Sequence, residues 1–390
     1  MPSHIAKPLK EKLNAEGLWE NIFMRFGMAI SNLSAFGGLQ RDCLSIARHV
    51  AAAGHDVTIL TTEIRGAITD PGCQVRIVKA ANRTNPGRDV ALGAALNQQR
   101  RDFDRIVGFN KLPMLDVYYS GDRSYAKVKQ GAWRVLSPRF RTQMQLEHDC
   151  FAPDARTSLI MLSERQQSEY QSVWQTPDSR FRRISPNLDP ARRLPQLRSD
   201  GTRERVRAEL GIRPGAETWL SVGWAAWVKG FDRVARALEA FPDCVWLVAG
   251  IAAASPMAHH VLRGMPWRVR GNVKFLGFRD DIPAVMAAAD LLLHPVRIET
   301  TGTVLVEALA NGLPIIVTET CGFAHLVEQA DAGLVIPSAS SRRDLIAAVK
   351  VARAPGRQAS WSANARLFGA DPSLSRGHEE AARLIAGELW

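Results

Sequence analysis

Between Ala289 and Thr318 the chain reads as strand, short acidic loop, helix, glycine turn and strand. The apolar run Ala289–Pro295 supplies the first strand, Glu299-Thr-Thr-Gly-Thr-Val-Leu-Val-Glu307 the loop and helix, and Ile315-Ile-Val-Thr318 the second strand. A strand that returns through a helix forms a parallel sheet, so the chain is committed to an α/β architecture with helices on both faces. Thr301, Gly302 and Thr303 open the helix, leaving free backbone N–H groups and the positive end of the helix dipole above the strands. Glu299 projects just before the helix, and Glu307 follows about two turns later on nearly the same face. Amides for a diphosphate and carboxylates for hydroxyls suit a nucleotide-activated sugar. A capped helix with two surface glutamates explains the same letters, and the spacing alone does not separate the two readings.

The same alternation runs through the rest of the chain. An apolar run over 21–31 predicts a first buried strand. Phe36-Gly37-Gly38-Leu39 makes a glycine turn, 40–53 carries helical periodicity, and Val57–Thr61 is a second strand. That is the opening of a doubly wound domain. Further strands are expected at 75–78, 105–109 and 158–162. The Pro- and Arg-rich, aperiodic stretch 184–203 reads as a linker. A second series then begins, with strands at 219–222, 244–249, 273–276, 291–294 and 315–317 and helices at 232–240, 282–288 and 304–310. The expected organisation is a Rossmann-like acceptor domain over 1–190, a Rossmann-like donor domain over 191–375, and a terminal helix over 376–390 packing back on the first domain. Two such domains facing across a cleft would hold ligands at the C-terminal ends of both sheets.

With 390 residues, 46% hydrophobic and 23% charged, the chain has the size and composition of a two-domain globular protein. No apolar run is long enough to span a bilayer, and the first twenty residues are too polar for a signal peptide. Cys43, Cys73, Cys150, Cys244 and Cys321 are scattered and odd in number, which suits reduced thiols in the cytoplasm. The net charge of +11 calls for an anionic partner. Much of it sits between Asp122 and Glu147, where Arg123, Lys127, Lys129, Arg134, Arg139 and Arg141 occur with no acidic residue and alternate with aromatic and aliphatic side chains. That mixture suits contact with an anionic membrane surface, or else a solvated basic face. Nucleic acid is disfavoured, because no recognised binding motif occurs.

Lys229 lies at a predicted helix entrance, where its charge can neutralise a diphosphate leaving group; a solvated surface lysine would look the same. Arg279 follows a strand and can reach a nucleotide, or is a plain loop arginine. Gly37 and Gly38 allow a phosphate close to the backbone. Asp122 stands near the loop Gly108–Pro113, where a carboxylate can orient or deprotonate an acceptor hydroxyl. Walker A, GxGxxG, HExxH and GxSxG patterns are absent. Asp102-Phe-Asp104 looks like a metal–nucleotide pair, but its charged surroundings read as turn and cap, so no metal site is expected.

With these residues in place, the chain resembles the family 4 retaining glycosyltransferases of GT-B fold, and more narrowly the lipopolysaccharide core (heptosyl) glucosyltransferases. The segments that carry the resemblance are Phe36–Asp42, Gly108–Tyr118, Ser158–Tyr170, Met286–Pro295 and Cys321–His325. It implies metal-independent transfer of a hexose from a nucleotide sugar, with retention and no cofactor. Glu299 would contact donor-sugar hydroxyls and Glu307 the ribose. Amides near Gly302 and Gly38 would hold the diphosphate with Lys229, while Arg279 and Arg192 line the nucleotide pocket. Asp122 and Lys111 fall on the acceptor side, and the basic segment would bind the inner face of the membrane, where a glycolipid acceptor waits. The chain departs from the family at Val228, where a second basic residue is usual, and at Trp224-Ala-Ala-Trp227, which replaces a small-residue turn. These departures leave open a different donor or acceptor, or a catalytically silent binding protein of the same fold.

Overall fold

A computed structural model of the chain describes residues 23–34, 37–66, 68, 72–79, 85–127, 135, 137–338 and 341–387. These residues divide into two compact units, one ending at Ile184 and regaining the chain from Gly377, the other spanning Ser185–Arg376.

The first unit is built on β1 (Arg25–Ile30), β2 (Asp56–Thr61), β3 (Gln74–Ile77), β4 (Arg105–Gly108), β5 (Val117–Ser120), β6 (Ser158–Met161) and β7 (Phe181–Arg183). Their order across the sheet is β3-β2-β1-β4-β5-β6-β7, and every pairing is parallel. Side chains alternate between two cores, as the period of a strand requires. Phe26, Met28 and Ile30 point to the side of helix Gly38–Ala52, while Ala29, Tyr118, Leu159 and Met161 pack with Phe151 and Tyr170 on the other. The terminal helix Gly377–Ala386 lies against helix Gly38–Ala52. His378 Nε2 reaches Asp42 Oδ1 at 2.9 Å, and Arg105 donates to the Ile385 carbonyl at 2.6 Å.

The second unit carries β8 (Thr218–Val222), β9 (Val245–Ala249), β10 (Val273–Gly277), β11 (Leu291–His294), β12 (Ile315–Thr318) and β13 (Gly333–Ile336). They are again all parallel, in the order β10-β9-β8-β11-β12-β13. Trp219, Trp246, Leu293 and Ile316 fill the core on one face, and Leu220, Leu247, Leu292 and Ile315 the core on the other. The stretch expected to be a linker is instead part of this unit. Arg198, Arg203 and Arg207 donate to the carbonyls of Met286, Ala287, Ala288 and Ala289, satisfying the open end of helix Ile282–Ala288. No helix among the described residues is long and apolar enough to cross a membrane.

In each sheet the chain direction of build-up reverses beside the first strand of that sheet. In the second unit β8 pairs with β9 on one side and β11 on the other, so the loops leaving β8 and β11 lie next to each other. Ligands of open α/β sheets bind at such a switch point.

Candidate functional site

The loop after β11 is tied to the loop after β12 by backbone hydrogen bonds. Glu299 N donates to Thr320 O at 3.2 Å, Gly322 N to Glu299 O at 3.1 Å, and Phe323 N to Thr301 O at 2.7 Å. Gly302 ends the loop at φ 93° and caps helix Thr303–Ala310. A Cβ there would stand 2.2 Å from Cys321 Sγ, so both the backbone angle and the space require glycine.

The loop after β8 brings Lys229 to the same place. Gly223, at φ 144°, leaves room for the lysine stem, since a Cβ would meet Lys229 Cγ at 3.0 Å. The Lys229 ammonium pairs with one Glu299 oxygen, and His294 Nε2 takes the other. His294 is wholly buried, and Lys229 and Glu299 are each less than a fifth exposed. Burial pushes the Glu299 carboxyl up, but the His294 imidazole and the Lys229 ammonium outweigh it and hold the pKa down at about 2. The carboxylate is therefore charged throughout the physiological range and presented between two nitrogen donors.

Glu307 is held separately: Arg192 Nη1 lies 3.1 Å from its carboxylate. Asn311 accepts from Leu194 N at 2.9 Å and donates to Arg192 O at 2.8 Å, fixing the backbone that carries Arg192. Thr301 is half-buried and Thr303 exposed at the helix entrance. The Arg279 guanidinium is engaged by its near neighbour Asp281 at 2.5 and 2.7 Å.

Sequence reasoning missed two residues here. His294 gives no signal beyond ending a strand before a proline. Arg297 lies with its guanidinium carbon 3.4 Å from the centre of the Trp227 ring and makes paired bonds of 2.8 and 2.9 Å to Asp232. Arg297 N also donates to Val228 O at 2.8 Å. Its guanidinium donates to the Trp227 carbonyl and so braces the Trp224–Trp227 turn.

One group of metal-capable donors occurs among the described residues: atoms of His294, Glu299 and Cys321 lie within 4.8 Å of one another. Both Glu299 oxygens are already taken, and Cys321 Sγ points to Thr301 O at 3.2 Å. A cation there would share the carboxylate with the Lys229 ammonium and the His294 ring nitrogen.

In the first unit the loops after β1 and β4 are joined at the switch point, where Ser31 N donates to Asn110 Oδ1 at 2.8 Å. Gly37 (φ 110°) and Gly38 start helix Gly38–Ala52 there, both exposed. Asp122 is more than half exposed, and its carboxylate accepts from Tyr118 OH at 2.7 Å and Tyr170 OH at 3.1 Å and pairs with Lys111 at 3.0 Å. Lys111, expected near a surface that meets acceptor or membrane, is buried, with 4% of its side chain exposed. Burial opposes its charge, but Asp122 and Glu147 outweigh burial and raise its pKa. Glu147, wholly buried, collects Lys111 Nζ at 2.9 Å, Ser124 Oγ, Tyr125 N at 2.6 Å and Trp174 Nε1 at 2.9 Å. That network anchors the start of the basic segment in the core. Arg123 is likewise spent on Glu169, at 3.2 Å. Lys127, Arg139 and Arg141 are exposed, the last two on helix Pro138–Phe151, whereas Lys129 and Arg134 lie outside the described residues. The Asp102 and Asp104 carboxylates pair with Arg76 and Arg25, as turn and cap residues do.

A family model described as glycosyl transferases group 1 matches residues 202–368, the part that holds Lys229, Glu299 and Glu307. Lipopolysaccharide glucosyltransferase WaaG of Escherichia coli (strain K12) is 36% identical over 364 residues, covering 91% of this chain and 96% of the relative. The crystal structure of WaaG, a glycosyltransferase involved in lipopolysaccharide biosynthesis, superposes with a TM-score of 0.83 at 33% identity, over 93% of this chain and 100% of that one. Anabaena HepE in complex with UDP-glucose shares the fold, with a TM-score of 0.68 at 20% identity over 94% of this chain and 99% of that one. The chain is a hexosyltransferase enzyme of GT-B fold and belongs to the glycosyltransferase family of WaaG.

Proposed function

We propose that this enzyme moves a hexose, glucose from UDP-glucose, onto a lipid-linked acceptor such as the heptose of the lipopolysaccharide inner core, with retention at the anomeric carbon and without a metal ion. The observation that carries the reading is the Lys229–Glu299–His294 set at the entrance of helix Thr303–Ala310, inside the region shared with group 1 glycosyl transferases. The WaaG relative is named for glucose transfer to lipopolysaccharide, and HepE, which shares the fold, binds UDP-glucose.

The roles follow from charge and position. Glu299, held ionised, accepts hydrogen bonds from sugar hydroxyls. Lys229 and the amides near Gly302 receive the negative charge that builds on the diphosphate as its bond to the anomeric carbon breaks. Glu307, oriented by Arg192, takes the ribose. In the first unit, Asp122 is a carboxylate that can orient an acceptor hydroxyl, and Gly38 opens a helix whose free amides suit a phosphate. A lysine and a helix N-terminus supply the stabilisation that a divalent ion gives other nucleotide-sugar enzymes. Exposed Lys127, Arg139 and Arg141 draw the enzyme to the inner face of the cytoplasmic membrane, where the acceptor lies.

The test is incubation of purified protein with UDP-glucose, excess EDTA and heptose-terminated lipopolysaccharide, with the product linkage read by NMR. An α-linked glucosyl product that survives EDTA supports the reading. A β-linked product, or loss of turnover restored by a divalent ion, overturns retention or metal independence. Absence of turnover with UDP-glucose, where another sugar nucleotide or acceptor supports it, overturns the donor or acceptor named here.

A further inference from the structure

Two tryptophans project from the turn that delivers Lys229. Trp224 is 72% exposed and Trp227 58% exposed, although each carries an aromatic surface large enough to anchor a core. The exposure of Trp227 is built in. Arg297 lies 3.4 Å over its ring, is itself fixed by Asp232, and donates to the Trp227 carbonyl. The turn cannot fold down at its far end either: Gly230 sits at φ 71° with its backbone so close to the β11 loop that a Cβ would meet Pro295 O at 2.0 Å.

We propose that the Trp224–Trp227 turn is a stacking platform for the hexose ring of the donor, with Trp227 its fixed floor and Arg297 its brace. The inference rests on the donor reading above. Arg297, which stacks on Trp227, precedes Glu299 by two residues, and Lys229, which follows Trp227 by two, pairs with Glu299. Glu307, the residue assigned to the ribose, lies in the second turn of helix Thr303–Ala310, about 6 Å of helical rise from its start. The tryptophan turn therefore adjoins Glu299, the carboxylate assigned to the sugar hydroxyls. A pyranose carries hydroxyls on its rim and C–H groups on its faces. A carboxylate meets the rim, and an aromatic ring meets a face that water solvates poorly. Sugars that differ in the axial or equatorial setting of one hydroxyl present different faces, so the platform is also where donor hexoses are told apart.

Calorimetric titration of the full chain with UDP and with UDP-glucose tests this, using wild type, Trp227→Ala, Trp227→Phe and Trp224→Ala, each with its melting temperature checked. Trp227→Ala is expected to leave the Kd for UDP within about twofold and to weaken UDP-glucose about tenfold, or about 1.4 kcal/mol. Trp227→Phe restores most of that loss, and Trp224→Ala shifts the ratio of the two constants in the same direction. A Trp227→Ala protein whose two constants are unchanged, or fall by the same factor, overturns the platform while leaving the donor reading intact. A wild type that binds neither nucleotide overturns both.

Discussion

Replacing Glu299 by glutamine keeps the shape of the side chain and removes its charge. In the folded protein the carboxyl is held at about 2, against an ordinary 4.5. At about 1.4 kcal/mol per pH unit, that gap is worth about 3 kcal/mol of folding stability at neutral pH. Because the folded pKa is depressed, the contribution is complete above the unfolded value and drains away as pH falls from about 4.5 toward about 2. Glu299→Gln should therefore unfold in urea with about 3 kcal/mol less stability than wild type at pH 7, and the difference should shrink by about 1 kcal/mol between pH 6 and pH 3.5. Tryptophan fluorescence suits the assay, since the fully buried Trp219, Trp246 and Trp361 all belong to the unit that holds the site. Equal stability at pH 7, or a difference that does not move with pH, would refute the claim that His294 and Lys229 hold this carboxylate ionised.

Lys229→Met should lower kcat/KM for hexose transfer by about a hundredfold or more, with circular dichroism unchanged, by analogy with removal of one preorganised charge-stabilising donor. Gly302→Ala forces a side chain into a positive φ and toward Cys321 Sγ; a loss of about 2 kcal/mol or more is expected, read by thermal melting. Glu147→Gln removes a fully buried carboxylate and deprives the buried Lys111 ammonium of one of its two anionic partners, and a loss of about 3 kcal/mol in urea unfolding is expected. Arg139→Ser with Arg141→Ser should weaken binding to anionic vesicles at low salt by about thirtyfold, at about 1 kcal/mol per charge, read by co-sedimentation, and unchanged binding would remove the membrane claim.

The strands that form the centres of both sheets were legible because they are apolar runs bounded by turn residues. Val117–Ser120 was not, because it follows a Pro- and Gly-containing loop and shows only four residues, two of them tyrosine. Phe181–Arg183 carries two arginines and buries only its first residue, so no pattern marks it, and Gly333–Ile336 is a short edge strand. The stretch 184–203 lacks periodicity because its role is to aim arginines at another helix's carbonyls, a long-range task that leaves no local trace. The same holds at the site. Glu299, Glu307 and Lys229 stand in readable positions at helix entrances, but the proximity of Lys229 to Glu299 follows from the adjacency of β8 and β11. Lys111 sits in a loop where a lysine usually meets water; only the fold brings Asp122 and Glu147 to it.

The central claim is that hexose transfer depends on the charged set joining the β8 and β11 loops. Its most direct test is the rate of glucosyl transfer from radiolabelled UDP-glucose to heptose-terminated lipopolysaccharide, compared for wild type, Lys229→Met and Glu299→Gln under conditions where all three remain folded. Turnover by wild type and its near-complete loss in both variants is the predicted result; variants that keep wild-type turnover would contradict the claim.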